Sequence, residues 1–425
     1  MSIVDRNFIV DAHTHPALKS YLFDSDLSVR NTARPEFTLL GLADVYTDLP
    51  KLADGNIDVV MSGYYLPEQG LLSNSPLISN IARGILRPTI QCLLDKTEPD
   101  SLPNQAFEIT QQMMSNFQAR LEKANQDLHN RQKAHPSTNP NAIPPKDTII
   151  ARTFAELETS LRQGKRVVLQ TLEGGHHLGR GLASTQEYLT RLNYFHQEGI
   201  CMMTLGHFFA NDVTTSCDGM PPSLMKTLGY KPKSTKELQH GLQTHGAAIV
   251  QEMFRIGMIV DLMHCTPKAR QQIFTLNNNR TPLVFSHSGV VAKHNAPLNP
   301  SDGEIRQIQD CCGVIGVIFN KYWLTGDEES EFLGLDFAED PCIDDIVQTM
   351  KHIQSITGNC DNIALGTDYD GFTDTPDDLK DISFMPILQK RLQQEFNQED
   401  VRKIMGGNIL RVLKQGWKEP LKPIA

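Results

Sequence analysis

Short runs of consecutive apolar residues recur along this 425-residue chain, and a segment with helical features follows each run. The runs are continuous rather than alternating in polarity. Continuous apolarity is typical of strands that are buried on both faces, as in a parallel sheet covered by helices. Eight strands are predicted in this way: Phe8–Asp11, Ile57–Ser62, Arg166–Leu172, Ile200–Leu205, Met258–Leu262, Leu283–Ser286, Val314–Phe319 and Asn362–Gly366.

Residues that start helices stand between these strands. Thr266-Pro267 combines a capping residue with a first-turn proline, and Asn397 can cap a helix running towards Leu413. Eight strand–helix pairs predict a closed (β/α)8 barrel of the TIM type rather than an open sheet. Four further segments have the form of a capping box, in which Ser or Thr precedes Glu by three positions: Thr153 with Glu156, Ser184 with Glu187, Ser234 with Glu237 and Ser301 with Glu304.

The chain is longer than a typical barrel of about 250 residues, so insertions are expected. We predict a single barrel domain over residues 1–425 with an insertion at about 102–146. The insertion begins with a helix around Phe107–His129 and ends in a proline-rich loop. A glycine- and proline-bearing stretch after the fourth strand, at about 211–233, is predicted to be a lid.

Composition and charge exclude several classes of protein. The formal net charge is −10, which argues against nucleic-acid binding and against attraction to an anionic membrane surface. No apolar run is long enough to span a membrane, and the N-terminus lacks the features of a secretory signal. The eight cysteines are scattered and form no C-x-x-C pair. We therefore expect a reduced, cytoplasmic protein without disulfides.

Histidines and carboxylates follow six of the eight predicted strands. Barrel enzymes carry their chemistry at the carboxyl ends of the strands, so these side chains should gather on one face. Such residues are uncommon at the ends of buried strands unless they are paired or bind a metal. The six strand ends are Asp11-Ala12-His13-Thr14-His15, Glu173-Gly174-Gly175-His176-His177, Gly206-His207, Asp261-Leu262-Met263-His264, Ser286-His287-Ser288 and Asp368-Tyr369-Asp370-Gly371.

The spacing of these residues predicts a two-metal site. Alternate residues of a strand point to the same side, so His13 and His15 can reach one metal together. His264 and His287 end neighbouring strands and can share a second metal. Glu173 lies between the two groups and could bridge both ions. Asp368 follows the last strand, which neighbours the first in a closed barrel, and could complete the first site and hold the attacking water.

Other polar residues at the strand ends have simpler interpretations. His176 and His177 are interpreted as loop residues, and Cys265 as a packing residue. Asp11 is expected to support the turn of the first strand. Two further carboxylates are expected to orient ligating histidines: Asp261 and Asp370.

The same residues carry a resemblance to the membrane (renal) dipeptidase family of zinc peptidases, a branch of the amidohydrolase-like metal-dependent barrels. The resemblance spans roughly Phe8 to Gln415 and is weak between about Lys19 and Thr148. Five motifs in the family's order make it specific. The matching segments are TLEGGHHLG, MTLGHFFAN, GMIVDLMHCTPKA, PLVFSHSG and NIALGTDYDGF, with GGNILRVL in a C-terminal helix.

The resemblance implies two zinc ions per chain, a dipeptide substrate and a homodimer. It implies that His13 and His15 bind the first zinc, that His264 and His287 bind the second, and that Glu173 bridges the two. It further implies that His207 contacts the scissile carbonyl and stabilises the oxyanion. By the same resemblance Asp368 binds the metal-bridging water and transfers its proton.

The sequence departs from the family pattern at two places. The first strand carries His13-Thr14-His15 where the family usually has H-x-D, and zinc accepts either ligand. The family also places an arginine after the SHS motif to hold the terminal carboxylate of the dipeptide. No arginine occurs between His287 and Arg306. The predicted substrate contacts are therefore His207, Lys293, His294 and Tyr322, although a lysine cannot reproduce the bidentate arginine fork.

The sequence thus predicts a binuclear zinc hydrolase that cleaves the amide bond of a dipeptide or a similar small acyl-amino compound. The H-x-H motif and the missing arginine leave open another amidohydrolase-type enzyme, namely an N-acyl-amino-acid hydrolase, a lactonase or a deaminase. A barrel that has lost catalysis and serves as a binding protein is the remaining alternative, and the full set of predicted ligands argues against it.

Overall fold

The computed structural model describes residues 2–31, 45–68, 105–134, 146–227, 229–327, 342–373 and 375–419. Eight parallel strands form a closed barrel, and the predicted (β/α)8 fold is confirmed. The strand order is β2-β1-β9-β8-β7-β6-β5-β4, and the pairing of β2 with β4 closes the ring. The strands, together with the additional strand β3, are β1 Val10–Thr14, β2 Val59–Tyr64, β3 Thr148–Ala151, β4 Arg166–Glu173, β5 Ile200–Thr204, β6 Ile259–Asp261, β7 Val284–Ser288, β8 Val314–Val317 and β9 Ile363–Leu365.

The sequence pattern did not reveal strand β3. This strand pairs with the first half of β4, where Thr148 lies opposite Arg166, whereas β5 pairs with the second half from Gln170 onward. Strands β3 and β5 therefore share one edge of the long strand β4. Only four residues form β3 and two of them are half-buried, so the run is too short and too mixed in polarity to be recognised as a buried strand.

Helices surround the barrel, and the predicted helix starts are confirmed. Each of the four predicted capping residues accepts a hydrogen bond from the backbone N–H three positions later. Thr266 and Asn397 also cap helices. The helices are α1 Pro16–Phe23, α2 Leu49–Asp54, α3 Gln105–Ala134, α4 Phe154–Arg162, α5 Thr185–Gln197, α6 Pro222–Thr227, α7 Thr235–Leu238, α8 Gly246–Ile256, α9 Pro267–Asn277, α10 Asp302–Asp310, α11 Lys321–Thr325, α12 Ile343–Thr357, α13 Met385–Leu392, α14 Gln398–Arg402 and α15 Asn408–Gly416.

Helix α3 contains the predicted inserted helix and extends beyond it at both ends. One face of α3 is buried through Met113, Phe117 and Leu121, and it packs against α1, β2 and β3. Because α3 lies in the connection between β2 and β4, it covers the barrel where a crossover helix is expected. The remainder of the predicted insertion, residues 102–104 and 135–145, lies outside the described residues. Among the described helices, none combines the length and the apolarity that a membrane span requires.

The helix predicted to run from Asn397 towards Leu413 is interrupted. A π-helical segment, Lys403–Gly407, separates α14 from α15. Gly406 has extended backbone there, and a Cβ atom on it would lie 2.3 Å from the carbonyl oxygen of Phe8. The close approach of β1 therefore requires a glycine and breaks the helix.

Apolar side chains fill the amino end of the barrel. Strand residues such as Val10 and Val59 form one buried cluster with residues of α15, including Ile409 and Leu413. Helix α15 thus closes this end of the barrel with apolar side chains. The polar residues that could take part in catalysis therefore lie at the opposite end, where the strands terminate.

Candidate metal centre

Six predicted ligands meet at the carboxyl end of the barrel, and each is nearly inaccessible to solvent. They come from five strands that are distant in sequence, so only barrel closure brings them together. Ion-pair distances among them fall between 3.3 and 3.7 Å. The six residues are His13, His15, Glu173, His264, His287 and Asp368.

The four histidines form two pairs whose ring nitrogens face each other. The Nε2 atoms of His13 and His15 are 3.0 Å apart, and those of His264 and His287 are 3.2 Å apart. Two nitrogens bound at about 2.0–2.1 Å in a tetrahedral zinc site would be separated by a similar distance. The spacing in each pair is therefore suited to a shared cation.

Glu173 lies between the two histidine pairs. Its Oε2 atom is 3.4 Å from Nε2 of His15, whereas its Oε1 atom is 3.5 Å from Nε2 of His264 and 3.6 Å from Nε2 of His287. Oε1 is also 3.3 Å from Nε2 of His13, so it lies beside both pairs, whereas Oε2 faces His15 of the first pair. Asp368 faces the first pair, with Oδ1 3.4 Å from Nε2 of His15 and 3.7 Å from Nε2 of His13.

Hydrogen bonds at the far side of two rings fix which nitrogen faces the centre. Nδ1 of His15 lies 3.0 Å from the carbonyl oxygen of Gly63, which can only accept, so Nδ1 is the donor and Nε2 carries the lone pair. A Cβ atom at position 63 would lie 2.7 Å from the His15 ring. Glycine is therefore required for this contact.

His287 is oriented in a comparable way through a hydroxyl group. Its Nδ1 atom lies 2.7 Å from Oγ of Ser286, and that hydroxyl donates to Asp261 at 2.5 Å. Because the Ser286 proton is used by the carboxylate, Nδ1–H of His287 is the donor to Oγ. The expectation that Asp261 orients a ligating histidine thus agrees with this geometry, with Ser286 as the intermediate.

Two other carboxylates at strand ends accept hydrogen bonds from backbone N–H groups and threonine hydroxyls rather than facing the centre. Asp11 accepts hydrogen bonds from the backbone N–H and the hydroxyl of Thr367 at 3.0 and 2.6 Å, so it joins the ends of β1 and β9. Asp370 accepts from the backbone N–H of Tyr46 at 2.7 Å and from the hydroxyl of Thr47. The expectation that Asp370 orients a ligating histidine is wrong, because its carboxylate holds the segment before α2 instead.

Two of the six ligand candidates have left-handed backbone, with φ of 61° at both His264 and Asp368. This conformation is uncommon outside glycine, although asparagine, aspartate and histidine adopt it more often than other residues. In both cases the turn begins where a strand ends, and it directs the side chain into the centre.

The charges of the cluster suit a cation. Burial lowers the pKa of His13, but Glu173 and Asp368 outweigh it and raise that pKa to about 9. Burial raises the pKa of Glu173, but the neighbouring histidines, His207 and His13 foremost, hold it well below its usual range. Burial also lowers the pKa of both His264 and His287. A metal would displace the proton of His13, so binding would release protons.

The donor set fits metal ions of the zinc type. Imidazole nitrogens and carboxylate oxygens are common zinc ligands. Three overlapping groups in the described chain bring their ligand atoms within 4.8 Å of one another. These groups are His13 with His15 and Glu173, His13 with His287 and Asp368, and Glu173 with His264 and His287.

His207 lies beside this cluster and belongs to none of the three groups. Its Nε2 atom is 3.8 Å from Oε2 of Glu173, and its Nδ1 atom is 2.8 Å from Oε2 of Glu68. Sequence reasoning missed Glu68, which follows the second predicted strand. Six positions separate Glu68 from the end of that strand, Ser62, so it lies beyond the residues that directly follow the other strands.

The neighbouring His176 and His177 have other partners. His177 places Nδ1 2.7 Å from the hydroxyl of Thr110 in α3 and Nε2 3.1 Å from the backbone oxygen of Glu173. His176 places Nε2 3.0 Å from the carbonyl oxygen of Leu66. Both residues thus connect loops around the site, in agreement with their interpretation as loop residues.

The predicted substrate contacts beyond His207 include one exposed residue and one aromatic pair. Lys293 is exposed in a turn, and His294 packs edge-on against Tyr322 with ring centroids 5.0 Å apart. The carbonyls of Pro297 and Leu298, where the family arginine would align, accept hydrogen bonds from the buried Arg270. The guanidinium also forms an ion pair with Glu304, so Arg270 stabilises the loop that contains Pro297 and Leu298.

Aromatic residues border the centre, and the sequence did not single them out. Trp323 stacks against His287 at a centroid distance of 5.5 Å, and its indole N–H donates to the carbonyl of Gly219 at 2.8 Å. Gly219 belongs to the predicted lid, residues 211–233. Lys233, at the end of that stretch, donates to the carbonyl of Phe208 at 2.9 Å. The stretch is thus attached to both sides of the site, and its role as a lid stays a prediction.

Curated relatives match part of the chain. The dipeptidase tcpJ of Claviceps purpurea is 31% identical over 255 residues, which are 60% of this chain and 52% of the relative. The dipeptidase aclJ of Aspergillus oryzae is 29% identical over 252 residues, which are 59% of this chain and 51% of the relative. The chain thus spans about half the length of these relatives.

Solved structures share the fold along almost the whole chain. A metallopeptidase from Rhodobacter sphaeroides, solved with a phosphinate mimic of the dipeptide L-Ala-D-Ala, has a TM-score of 0.66 and 19% identity, covering 97% of this chain and 100% of its own. An amidohydrolase from Pseudomonas aeruginosa has a TM-score of 0.58 and 18% identity, covering 98% and 99%. At these identities the likeness establishes the architecture alone.

The sequence model of the membrane dipeptidase family, peptidase family M19, matches residues 2–421. This match covers nearly the entire chain, including every strand of the barrel and all six ligand candidates. The chain belongs to the membrane dipeptidase family, peptidase family M19.

Proposed function

We propose that this protein is a binuclear zinc dipeptidase that hydrolyses the amide bond of a dipeptide or a similar small acyl-amino compound. The position of Glu173 carries the proposal, because this one buried carboxylate lies within 3.6 Å of the Nε2 atoms of all four histidines, Oε2 beside His15 and Oε1 beside the other three. A carboxylate placed between two histidine pairs could bridge two closely spaced ions, the spacing that two-metal hydrolysis uses.

The residues that would hold the metals divide into two sets that share Glu173. His13, His15 and Asp368 would hold the first ion, and His264 and His287 the second. When bound, the ion pair supplies Lewis acidity that polarises the substrate carbonyl and lowers the pKa of water. Family membership and the Rhodobacter metallopeptidase, which was solved with a dipeptide mimic, support this metal chemistry and this substrate class.

Two side chains of this protein would act on the reacting atoms. One would transfer a proton and the other would stabilise the developing negative charge. Asp368 would accept the proton of the attacking water and deliver it to the leaving amine, a role that suits a carboxylate beside the first histidine pair. His207 would donate from Nε2 to the oxygen on which negative charge develops. Burial lowers the pKa of His207, but Glu173 and Glu68 raise it overall, which favours a ring that can donate from both nitrogens.

The proposed function is tested by activity and metal content measured on the same preparation. Protein purified without chelator should contain about two zinc ions per chain by mass spectrometry, and it should hydrolyse members of a dipeptide panel faster than N-acyl amino acids or lactones. Chelation should abolish the activity, and added zinc should restore it. Preferred turnover of a lactone or an N-acyl amino acid would contradict the dipeptidase assignment, and metal-independent turnover would contradict the metal assignment.

The missing arginine leads to a prediction about the carboxyl end of the substrate. A charge-assisted contact of that kind contributes on the order of 1.5–3 kcal/mol. Lys293 is exposed and His294 packs on Tyr322, so neither forms a bidentate fork. We therefore expect a dipeptide and its C-terminal amide to be cleaved with similar kcat/KM, in contrast to an enzyme that clamps the free carboxylate.

The comparison of the two substrates is repeated in Lys293→Ala, with Lys414→Ala as the matched control at another exposed lysine. Neither variant should change the ratio of the two kcat/KM values. A strong preference for the free acid that disappears only in Lys293→Ala would identify that lysine as the clamp. A strong preference that survives in both variants would show that another cationic group holds the carboxylate.

A further inference from the structure

Glu68 is a buried carboxylate that accepts one hydrogen bond from the hydroxyl of Tyr65, at 3.5 Å, and three from the His207–Phe209 segment. Only 5% of this residue is exposed. Its Oε2 atom is 2.8 Å from Nδ1 of His207 and accepts from the backbone N–H of Phe208 at 3.2 Å, while Oε1 accepts from the backbone N–H of Phe209 at 3.0 Å. Within the described chain it forms no ion pair with a lysine or arginine. A carboxylate buried in this way requires such hydrogen bonds, so its position depends on the His207–Phe209 segment.

The contact with Glu68 determines which nitrogen of His207 faces the metal centre. An ionised carboxylate can only accept, so Nδ1–H of His207 is the donor. The opposite nitrogen, Nε2, then points to the centre, 3.8 Å from Oε2 of Glu173. The two imidazole nitrogens are chemically distinct, and the partner of one sets the role of the other.

Packing alone does not determine which nitrogen of His207 faces the metal centre. The His207 ring contacts three aromatic rings, with centroid distances of 3.9 Å to Phe208, 4.3 Å to Tyr65 and 4.5 Å to His264. These contacts restrict the plane of the imidazole, but a half-turn about its Cβ–Cγ bond would preserve most of them. Glu68 distinguishes the two orientations, because only one of them places a nitrogen against its carboxylate.

We infer that Glu68 is the positioning residue of His207, which holds the imidazole with Nδ1 bonded to the carboxylate and Nε2 directed at the scissile carbonyl. This inference rests on the function proposed above, since it assigns a partner to a residue of that reaction. Within the described chain Glu68 forms its ion pair with His207 and none with the six ligand candidates, and by this inference it does not touch the reacting atoms. Its effect on catalysis passes through His207.

Glu68→Gln is the direct test, because the amide keeps the size of the side chain but has only one acceptor oxygen. It cannot accept from Nδ1 of His207 and from the backbone N–H of Phe209 at the same time. We expect kcat to fall about 10- to 100-fold, the range for loss of an outer partner of a functional histidine. Zinc content should stay at the wild-type value. Glu198→Gln is the matched control, since it removes a carboxylate from a surface pair with Arg152, and it should leave kcat unchanged.

A double-mutant cycle separates positioning from a general structural effect. If Glu68 acts only through His207, Glu68→Gln should cause no further loss of kcat in the His207→Ala background. Fully additive losses would overturn the inference, as would wild-type kcat in Glu68→Gln alone. Glu68→Asp retains an ionised acceptor and should keep more activity than Glu68→Gln; it carries the test if the amide variant does not fold.

A spectroscopic measurement tests the contact without relying on turnover. In metal-loaded protein labelled with ¹⁵N-histidine, the Nδ1–H resonance of His207 is assigned by its absence in His207→Ala. In the wild type and in Glu198→Gln this proton resonance should lie downfield, as expected for a proton hydrogen-bonded to a carboxylate. In Glu68→Gln it should shift or vanish. An unchanged resonance would overturn the inference. If the wild type hydrolyses no dipeptide, the proposed function fails, and this resonance still decides whether Glu68 positions His207.

Discussion

Replacing Glu173 by alanine should abolish hydrolysis and reduce the metal content below two ions per chain. This carboxylate lies within 3.6 Å of Nε2 of a histidine in each pair, so its removal deprives both proposed ions of a ligand. The substitution also removes the negative charge that both proposed ions would share, so each ion would be held less tightly. Metal content by mass spectrometry and kcat/KM on a dipeptide measure the two effects on one preparation.

The control for this variant is Glu198→Ala, which removes a glutamate from a surface pair with Arg152. It should retain both metals and wild-type kcat/KM. Circular dichroism should show that Glu173→Ala keeps the barrel, because the residue contacts polar side chains at one end and not the apolar core. Two zinc ions per chain with near-normal turnover in Glu173→Ala would contradict the bridging role.

Replacing Asp368 by asparagine should lower kcat by about 10² to 10⁴, the usual contribution of a general acid–base group, while the metals are retained. The amide keeps an oxygen in the place of Oδ1, which lies 3.4 Å from Nε2 of His15, but it cannot take up a proton at neutral pH. Single-turnover rates and metal analysis of Asp368→Asn separate loss of chemistry from loss of metal.

Asp370→Asn is a demanding control, because the two aspartates are only two positions apart in the chain. The carboxylate of Asp370 accepts hydrogen bonds from Tyr46 and Thr47, so this substitution should affect stability more than the chemical step. If Asp368→Asn turned over like the wild type, Asp368 would be a structural residue, and the proton would have to pass through a different group.

The architecture was largely predictable because its determinants are local. Continuous apolar runs identify strands buried on both faces, and residues such as Ser234 and Ser301 form complete capping boxes with the glutamates three positions later. The alternation of side chains along a strand made His13-Thr14-His15 a candidate pair of ligands. These patterns act over a few residues, so a single sequence contains them in full.

Other features depend on contacts between distant segments. The hydrogen bond of Glu68 with His207 joins residues that are 139 positions apart, and neither carries a local signal for the other. The same holds for Asp370, whose partners lie more than 320 positions away. Strand β3 is recognisable only by its pairing with β4.

The sequence by itself determined the eight barrel strands, the helix starts and the residue types that end those strands, because short-range sterics, capping and hydrophobic periodicity set them. Only the tertiary structure decided which of those side chains face a common centre and which turn to the backbone. Closure of the barrel brings His15 within 3.4 Å of Glu173 and directs the carboxylate of Asp370 to another loop. The physical reason is that a side chain's partner is set by how the strands are arranged around the ring, and that arrangement is a property of the whole sheet.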